Sequence, residues 1–317
     1  MTAVILIIWN GADDTIACLA SLDKAQGDFM VVVADNGSTD DSLKRIGDYA
    51  ASLSIRVDVV ALGHNYGFAV GNNKAIEHSR KYNPDSFLIL NNDTEVEPDF
   101  LKRLQDYREE HPGIKVLGPI IKYWYDRNKI WSCGGKLVYG SRKGYYKDLK
   151  ADEMDTTAMP VSFISGCALF ADASLLDSEG HLFTERFFFG EEDFEFAHRM
   201  ARKGEKMVIL RDSVIYHKVG SATNNVSDKA QIGRHYLYYL GRLIVVREYY
   251  SRINFAIIRL LSFASCLYYF RKDGLTLIQS FRLVCRLMSD ARTKYGVGYD
   301  DFMAIVIDGS FFKEFES

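Results

Sequence analysis

Four short apolar runs, each followed by a stretch of helical character, occupy the first third of the chain. The runs are Val4–Trp9, Met30–Ala34, Arg56–Ala61 and Phe87–Leu90. Strands that are apolar along their whole length are typical of a parallel sheet buried on both faces. The intervening crossover helices are predicted over Thr15–Lys24, Asp41–Ala51, Gly71–Tyr82 and Pro98–Arg108. The opening third therefore predicts an α/β fold with a mostly parallel, Rossmann-like central sheet.

The remainder of the chain changes character twice. From residue 116 to residue 160 the pattern is irregular, and its polar stretch SRKGYYKDLKADEMDTT (141–157) predicts a mobile loop. A strand VSFISGCALF (161–170), an aromatic run and a helix ended by Gly204 follow. After Asn225 the sequence becomes helical and rich in Tyr, Leu, Ile and Arg. We predict a sheet domain over residues 1–225 and a basic, aromatic helical region over residues 226–317.

Charge is distributed unevenly along the chain. The 39 Lys and Arg against 42 Asp and Glu give a net charge of −3, which argues against a nucleic-acid binder. Residues 231–294 nevertheless hold eleven basic and three acidic residues, a local charge of +8, so the rest carries −11. Basic amphipathic helices bind anionic membrane surfaces. The same pattern also fits a helical subdomain on the sheet or a homodimer interface, and both interpretations stay open.

The cysteines and the apolar segments bear on location. The five cysteines are scattered, odd in number and never in a CxxC pair, which favours reduced thiols in a cytosolic protein. The start MTAVILIIWNG has no basic leader, so it reads as a first strand and not as a signal peptide. The segment Ile253–Phe270 is interrupted by Arg259 and falls short of the ~20 residues of a membrane span. We expect a cytoplasmic protein, peripheral on the inner face of the cell membrane if it meets lipid.

Polar clusters follow all four predicted strands, namely Trp9–Asn10, Asp35–Ser38, Gly63–Gly67 and Asn91–Asp93. Ligands of open parallel sheets bind at the carboxyl ends of the strands. Turn and helix-cap chemistry would explain each cluster alone, but four of them on one edge favour a binding site. No GxGxxG follows the first strand and no GxxxxGK[ST] occurs, which argues against dinucleotide-dependent dehydrogenases and P-loop enzymes.

Five ordered segments, spanning roughly residues 3–224, carry a resemblance to a known family. They are VVVADNGSTDDS, LGHNYGFAVGNNKAI, FLILNNDTEVEPDFL, SGCALF with FTERFFFGEEDFEFAHRMARKG, and VIYHKVGSAT. The chain resembles the family 2 glycosyltransferases of the GT-A fold, inverting enzymes that include many bacterial rhamnosyltransferases. The resemblance implies a GT-A domain that binds a nucleotide-sugar donor.

The resemblance also implies which residues hold that donor and a divalent metal. The implied donor-binding residues are Trp9, Asn10, Asp35, Asn65, Gly67, Asn72 and Asn92. The family's DxD motif is replaced here by Asn91-Asn92-Asp93, in which Asp93 is expected to bind Mn²⁺ or Mg²⁺ with one fewer carboxylate beside it. His217 is expected to complete the metal site, and an imidazole ligand favours Mn²⁺. A hydrogen-bonded loop histidine is the alternative for His217.

Asp193 matches the family's general base, and Glu192 is assigned to acceptor binding or support. Inverting transfer needs one carboxylate to take the proton of the attacking hydroxyl, whereas a glycosidase needs two carboxyl groups flanking the bond. Carboxylates at a helix start also complement the helix dipole, which is the simpler explanation for this acidic cluster. Glu195 forms an i, i+4 pair with Arg199 and is expected to be structural.

The resemblance implies an inverting glycosyltransferase that moves rhamnose from dTDP-rhamnose to a saccharide or lipid-linked saccharide in cell-surface polysaccharide synthesis. A UDP-sugar-dependent transferase of the same fold is the first alternative. A non-catalytic, sugar-nucleotide-binding subunit of a synthase complex is the second, because Asn91 replaces an acid. A nucleotidylyltransferase is disfavoured because WNGADD after the first strand is not a Gly-rich basic loop.

Overall fold

The structure, a computed structural model, describes residues 1–150, 156–219 and 228–315. The strands in these ranges are β1 (Thr2–Ile8), β2 (Phe29–Asp35), β3 (Val57–Ala61), β4 (Ser86–Leu90), β5 (Thr94–Val96), β6 (Ile114–Tyr123), β7 (Ile130–Ser132), β8 (Gly135–Val138), β9 (Ser141–Gly144), β10 (Ala158–Val161), β11 (Ala168–Asp172) and β12 (Lys206–His217). The helices are α1 (Ala12–Leu22), α2 (Ser42–Ala50), α3 (Gly67–Ser79), α4 (Phe100–Glu110), α5 (Glu192–Lys203), α6 (Asp228–Tyr249), α7 (Arg252–Lys272), α8 (Leu277–Thr293) and the short α9 (Tyr299–Phe302).

The central sheet has the strand order β10-β12-β6-β11-β4-β1-β2-β3, with β5 paired to β12 and β7 to β6. Strands β4, β1, β2 and β3 are parallel neighbours, and so are β6 and β12. Strand β11 runs antiparallel between β4 and β6, and β8 and β9 form a separate hairpin. This mixed sheet, followed by a helical C-terminal region, confirms the predicted α/β architecture.

Helices cover both faces of the sheet because alternate residues of each strand point to opposite sides. On one face, Val4 and Leu6 of β1 belong to a core with α1, α2 and α4. On the other face, Ala3 and Ile5 belong to a core with α3 and α5. Burial on both faces explains why the strands are apolar at nearly every position.

Two stretches differ from their predictions. The segment 161–170 is not one strand, because the chain leaves β10 at Val161 and begins β11 only at Ala168, beside a different strand. The beginning of the predicted mobile loop, Ser141–Gly144, is strand β9, joined to β8 through Gly140 with a φ of 67°. Within that predicted loop, residues 151–155 lie outside the described residues.

Helices α6, α7 and α8 pack together around a third hydrophobic core. This core includes Tyr236, Phe270 and Leu283 from the helices, and Phe187 and Phe194 from the segment around the start of α5. The predicted domain boundary between residues 225 and 226 lies outside the described residues and stays a prediction. Helix α7 is long and apolar enough to cross a membrane by length and composition, which the interrupted segment 253–270 did not predict.

Candidate active site

Several strand ends meet at one edge of the sheet. Strand β11 is antiparallel to both β4 and β6, and β6 is parallel to β12, so β12 points the same way as β4. The carboxyl ends of β1, β2, β4 and β12 and the amino end of β11 therefore share this edge. Residues far apart in the chain are brought close together there.

Asp93 and His217, the two predicted metal ligands, are in contact. Asp93 directly precedes β5, and β5 pairs with β12 in a register that sets Thr94 opposite His217. The backbone N–H of Lys218 donates to the Asp93 carbonyl at 3.0 Å. Nε2 of His217 lies 3.1 Å from Oδ1 of Asp93. The β5–β12 pairing thus aligns a carboxylate and an imidazole that are 124 positions apart.

These two side chains fit a divalent ion that is shared between protein and diphosphate. His217 is buried, its ring lies against the edge of Trp131 with centroids 4.6 Å apart, and its Nδ1 has no hydrogen-bond partner among the described residues. Within the same residues no group of three or more His, Cys, Asp and Glu side chains is arranged for a metal. Mg²⁺ sites commonly use one or two carboxylates and complete the shell with substrate phosphates and water.

The neighbours of Asp93 are held by the surrounding elements. The backbone N–H of Asn91 donates to the Cys167 carbonyl at 2.9 Å, and the side-chain amide of Asn92 donates to the Thr15 hydroxyl at 2.9 Å. Asn92 thereby ties this loop to α1, which is a structural role. Its predicted contact with the donor stays a prediction.

The loops after β1 and β2 are bonded to each other. Asp35 is 3% exposed, and its Oδ1 accepts the N–H of Ser38 at 3.1 Å. Asn10 adopts a left-handed conformation with a φ of 58°, donates its N–H to the Ser38 hydroxyl and accepts the N–H of Thr39. Trp9 beside it is 58% exposed. An exposed aromatic ring next to a rigid acidic loop suits the predicted contacts with base and ribose, which stay predictions.

Asn36 was not predicted as a site residue, and it organises the loops that follow β2 and β3. Its buried side-chain amide donates to the Asn65 side chain and to the Gly67 carbonyl, both at 3.1 Å, and its Oδ1 accepts the N–H of Tyr66 at 3.0 Å. Asn65 also accepts the N–H of Gly67. Asn36 therefore fixes the loop between β3 and α3. In the sequence Asn36 is visible as the second residue of DNGS, but turn formation alone explains an asparagine at that position.

Gly67 and Asn72 lie on α3. Gly67 has a φ of 79°, and a Cβ there would lie 2.0 Å from the carbonyl oxygen of Phe188, so no other residue fits. Asn72 is buried, donates to the Phe68 carbonyl at 2.8 Å, and its Oδ1 has no hydrogen-bond partner among the described residues. The Gly67 position is explained by packing, and the predicted contact of Asn72 with the nucleotide sugar stays a prediction.

Asp193 lies in the first turn of α5 beside the amino end of β11. The N–H of Gly166 donates to its Oδ2 at 3.3 Å, and a guanidinium nitrogen of Arg142 lies 3.7 Å from its Oδ1. Cys167, the residue after Gly166, accepts the N–H of Asn91. Two consecutive residues thus connect the predicted base to the Asn91–Asp93 loop. The side chain of Asp193 is 15% exposed, so part of the carboxylate remains accessible.

A buried charge cluster that sequence reasoning missed supports this acid. Glu191, in a left-handed conformation with a φ of 67°, lies 3.4 Å from Arg142 and 3.8 Å from Arg242 of α6. Burial raises the pKa of Glu191, and the two guanidinium groups oppose that rise. Burial lowers the pKa of Arg142, but the charges of Asp193 and Glu191 outweigh this and raise it above its ordinary value. Arg142 therefore stays charged beside Asp193.

Glu192 differs from its neighbours because it is buried and forms no ion pair with a cation of the described residues. Burial, with the charge of Asp193 as a second cause, raises the pKa of Glu192 to about 8. Its Oε2 has no hydrogen-bond partner among the described residues. The Glu192 carboxyl therefore holds its proton to a higher pH than an exposed glutamate does, and in that form it can donate a hydrogen bond.

The substitution Glu192→Gln is expected to flatten the pH dependence of stability. Between pH 4.5 and about pH 8 the folded chain keeps the Glu192 proton that the unfolded chain has lost. The free energy of unfolding of the wild type therefore falls as pH rises, by up to about 1.4 kcal/mol per pH unit from this group. Urea unfolding at several pH values in this window measures the slope.

Glu109→Gln, at an exposed position on α4, is the matched control and should leave the slope unchanged. Equal slopes for the wild type and Glu192→Gln would contradict a raised pKa at this position.

The structure brings the predicted residues into three groups at one edge. Asp93 contacts His217, Asn10 and Asp35 are joined through Ser38, and Asn65 is bonded to Gly67. Asp193 and Glu192 lie at the start of α5 and connect to the first group through residues 166–167. The functional assignments themselves stay predictions.

The sequence of this chain matches a known family. A family model described as glycosyl transferase family 2 matches residues 3–177, more than half of the chain. The chain therefore belongs to glycosyltransferase family 2. No curated protein was found to match it.

Solved structures resemble the chain over nearly its whole length. A mannosyltransferase from Pyrobaculum calidifontis, in complex with GDP-Man and Mn²⁺, has a TM-score of 0.57 and 16% identity, with 99% of this chain and 81% of that chain covered. TarS from S. aureus has a TM-score of 0.53 and 17% identity, with 98% and 91% covered. GalNAc-T7 with UDP, GalNAc and Mn²⁺ has a TM-score of 0.61 and 14% identity, with 100% and 58% covered. At these identities the likeness establishes the GT-A fold.

Proposed function

We propose that the protein is an inverting, metal-dependent glycosyltransferase that moves a hexosyl group from a nucleoside-diphosphate sugar to a hydroxyl of a saccharide or lipid-linked saccharide. The observation that carries this proposal is the position of Asp193. The partly accessible carboxylate lies at the same sheet edge as the Asp93–His217 pair and is linked to it through residues 166–167. A base on one side and a diphosphate-binding corner on the other are what a single displacement requires.

In the proposed reaction Asp193 takes the proton of the acceptor hydroxyl. The hydroxyl oxygen then forms the new bond to the anomeric carbon, while the bond from that carbon to the diphosphate breaks and its electron pair leaves with the diphosphate. A divalent ion at Asp93 and His217 would neutralise the charge of the departing diphosphate. The N–H of Gly166 and the Arg142 guanidinium orient the Asp193 carboxylate.

The donor that we propose first is dTDP-rhamnose, from the resemblance to rhamnosyltransferases, and UDP-sugars are the alternative. Structures of TarS were solved with UDP, of GalNAc-T7 with UDP, and of the mannosyltransferase with GDP-Man, so the shared fold accommodates several bases. A non-catalytic donor-binding subunit is the second candidate function, because Asn91 stands where the family has an acid.

A thermal-shift panel of dTDP-, UDP- and GDP-sugars, each with and without Mn²⁺, tests the proposal. One of them is expected to stabilise the protein in the presence of the metal, by about 2.7 kcal/mol at about a hundredfold excess over Kd. Free sugars without the nucleotide are the control and should leave Tm unchanged. Indifference to every nucleotide sugar would contradict donor binding altogether.

A further inference from the structure

Helix α7 carries an apolar stripe that the described part of the chain leaves exposed. Its members are Ile253, Ala256, Ile257, Leu260, Leu261, Ala264 and Tyr268. Their spacing of three and four residues puts them on one side of the helix. Leu260 is 73% exposed, whereas Ile258, Cys266 and Phe270 on the opposite side are buried in the C-terminal core. Packing against the rest of the described chain therefore buries one face of α7 and does not explain why the other face is apolar.

Helix α8 extends the same surface. Leu277, Ile278 and Phe281 in its first turns are exposed, and the ring of Phe281 lies 5.8 Å from that of Phe263 on α7. The inner positions Leu283 and Leu287 are fully buried. We call the exposed apolar residues of these two helices the α7–α8 face. A contiguous apolar surface of this kind marks an interaction site.

The charges around the α7–α8 face are positive. Residues 252–294 contain eight Lys and Arg and two acids, and α7 itself contains no acid. Both acids have partners within the protein: Asp273 lies 2.5 Å from His235, and Asp290 accepts hydrogen bonds from Tyr236 and Arg286. Arg252, Arg271 and Lys272 are exposed at the two ends of α7. The surface thus combines apolar side chains with cations.

We propose that the α7–α8 face docks on an anionic phospholipid bilayer, with both helices lying in the plane of the interface. Apolar side chains enter the acyl boundary and the flanking cations meet lipid phosphates, as in interfacial amphipathic helices. A second copy of the chain fits less well, because a two-fold interface would set this cationic surface against itself.

Docking in the plane agrees better with the packing than crossing the bilayer does. Helix α7 passes the length and composition test for a span. Its inner face, however, is buried against α6 and α8, and Arg259 interrupts its centre. Its first turns also contact the β8–β9 turn, where the Tyr139 hydroxyl donates to the Asn254 side chain at 3.0 Å. A crossing helix would have to give up these contacts.

The same turn connects the inner side of α7 to the candidate active site. A Cβ on Gly140 would lie 2.7 Å from the Ile258 side chain, so the β8–β9 turn packs closely on α7. Two residues further, Arg142 contacts Glu191 and Asp193. If the proposed function holds, docking therefore anchors the helix against which the turn next to the base packs. Docking itself does not depend on transfer activity.

Co-sedimentation of the full chain with vesicles tests the docking. The wild type is expected to bind vesicles of mixed phosphatidylglycerol and phosphatidylcholine, and to bind pure phosphatidylcholine at least about tenfold more weakly. The double variant Leu260→Asp with Leu261→Asp is expected to lose at least about tenfold of the partition coefficient. Tyr125→Asp, 70% exposed at a site distant in sequence, is the matched control and should bind like the wild type.

A second variant tests the docking without the Leu260 and Leu261 substitutions, which could disturb folding. Arg271→Gln with Lys272→Gln leaves the apolar stripe intact and is expected to lower binding to anionic vesicles by about fivefold per charge at low salt. The proposal is overturned if the wild type binds neither vesicle, or binds both equally. It is also overturned if the wild type is a dimer that the Leu260 and Leu261 substitutions dissociate while vesicle binding is absent.

Discussion

Asp193→Asn is expected to lower kcat for sugar transfer by about 10²–10⁴-fold, the contribution of a positioned general base. The amide of Asn keeps an oxygen that can accept the N–H of Gly166, so the start of α5 should remain folded. It cannot take a proton from the acceptor hydroxyl. Transfer rates with the donor identified in the thermal-shift panel measure the loss.

Nucleotide-sugar binding by Asp193→Asn should stay within about twofold of the wild type, because Asp193 acts on the acceptor. Asp48→Asn, an exposed carboxylate on α2 that pairs with Lys44, is the matched control and should keep full activity. An unchanged kcat in Asp193→Asn would contradict the assignment of Asp193 as the general base. Absence of transfer by the wild type, with donor binding retained, would favour the non-catalytic subunit.

Asp93→Asn is expected to abolish the metal-dependent part of nucleotide binding. The substitution removes the carboxylate that lies 3.1 Å from His217 and keeps its size. Because the Asn91 side chain is already neutral, no other carboxylate remains in the 91–93 loop. The affinity for Mn²⁺ in the presence of the nucleoside diphosphate should fall at least about tenfold, since ligand charge sets the affinity for hard cations. Calorimetric titration measures it.

Two further variants bracket this result. Asp14→Asn, whose carboxylate pairs with Lys218 beside His217, removes the same charge nearby and should leave the affinity for Mn²⁺ unchanged. Asn91→Asp returns a second carboxylate to the loop and is expected to shift the affinity upward. Retention of the full metal dependence in Asp93→Asn would move the metal site elsewhere.

The strands of the sheet could be predicted from sequence because burial on both faces imposes an apolar run. Strands β2 and β4 both begin and end within one residue of their predicted bounds. Helix α3 begins four residues earlier than predicted. It starts at Gly67, which has a positive φ, and hydrophobic periodicity carries no information on such a start. Strand direction was also out of reach: nothing in the sequence of β11 indicates that it runs antiparallel, because pairing partners are chosen by tertiary packing.

The positions of candidate site residues could be predicted where single residues directly follow strands, as for Asp35 and Asp93. The contact of Asp93 with His217 could not, because it depends on the register of β5 and β12. The cluster of Arg142, Glu191 and Arg242 could not be found, because its members come from a hairpin, a loop and a helix that share no sequence pattern. Arg142 itself lay in a stretch predicted to be a loop.

The Phe188 carbonyl that lies close to Gly67 belongs to a series of main-chain hydrogen bonds between the start of α3 and the C-terminal half of the chain. We call this series the seam. Phe68 donates its N–H to Phe188, Phe188 donates to Val297, and Val297 donates to Arg186. Peptide groups form these bonds, so most side chains along the seam can change without removing them, whereas Gly67 and Gly296 must stay glycine because a Cβ on either would collide with a seam carbonyl. A chain truncated after β12 would leave the N–H of Phe188 and the carbonyl of Arg186 without their hydrogen-bond partner. Both groups lie just before the acidic start of α5. A chimera that exchanges the C-terminal region between related proteins would therefore have to include all the residues of this seam.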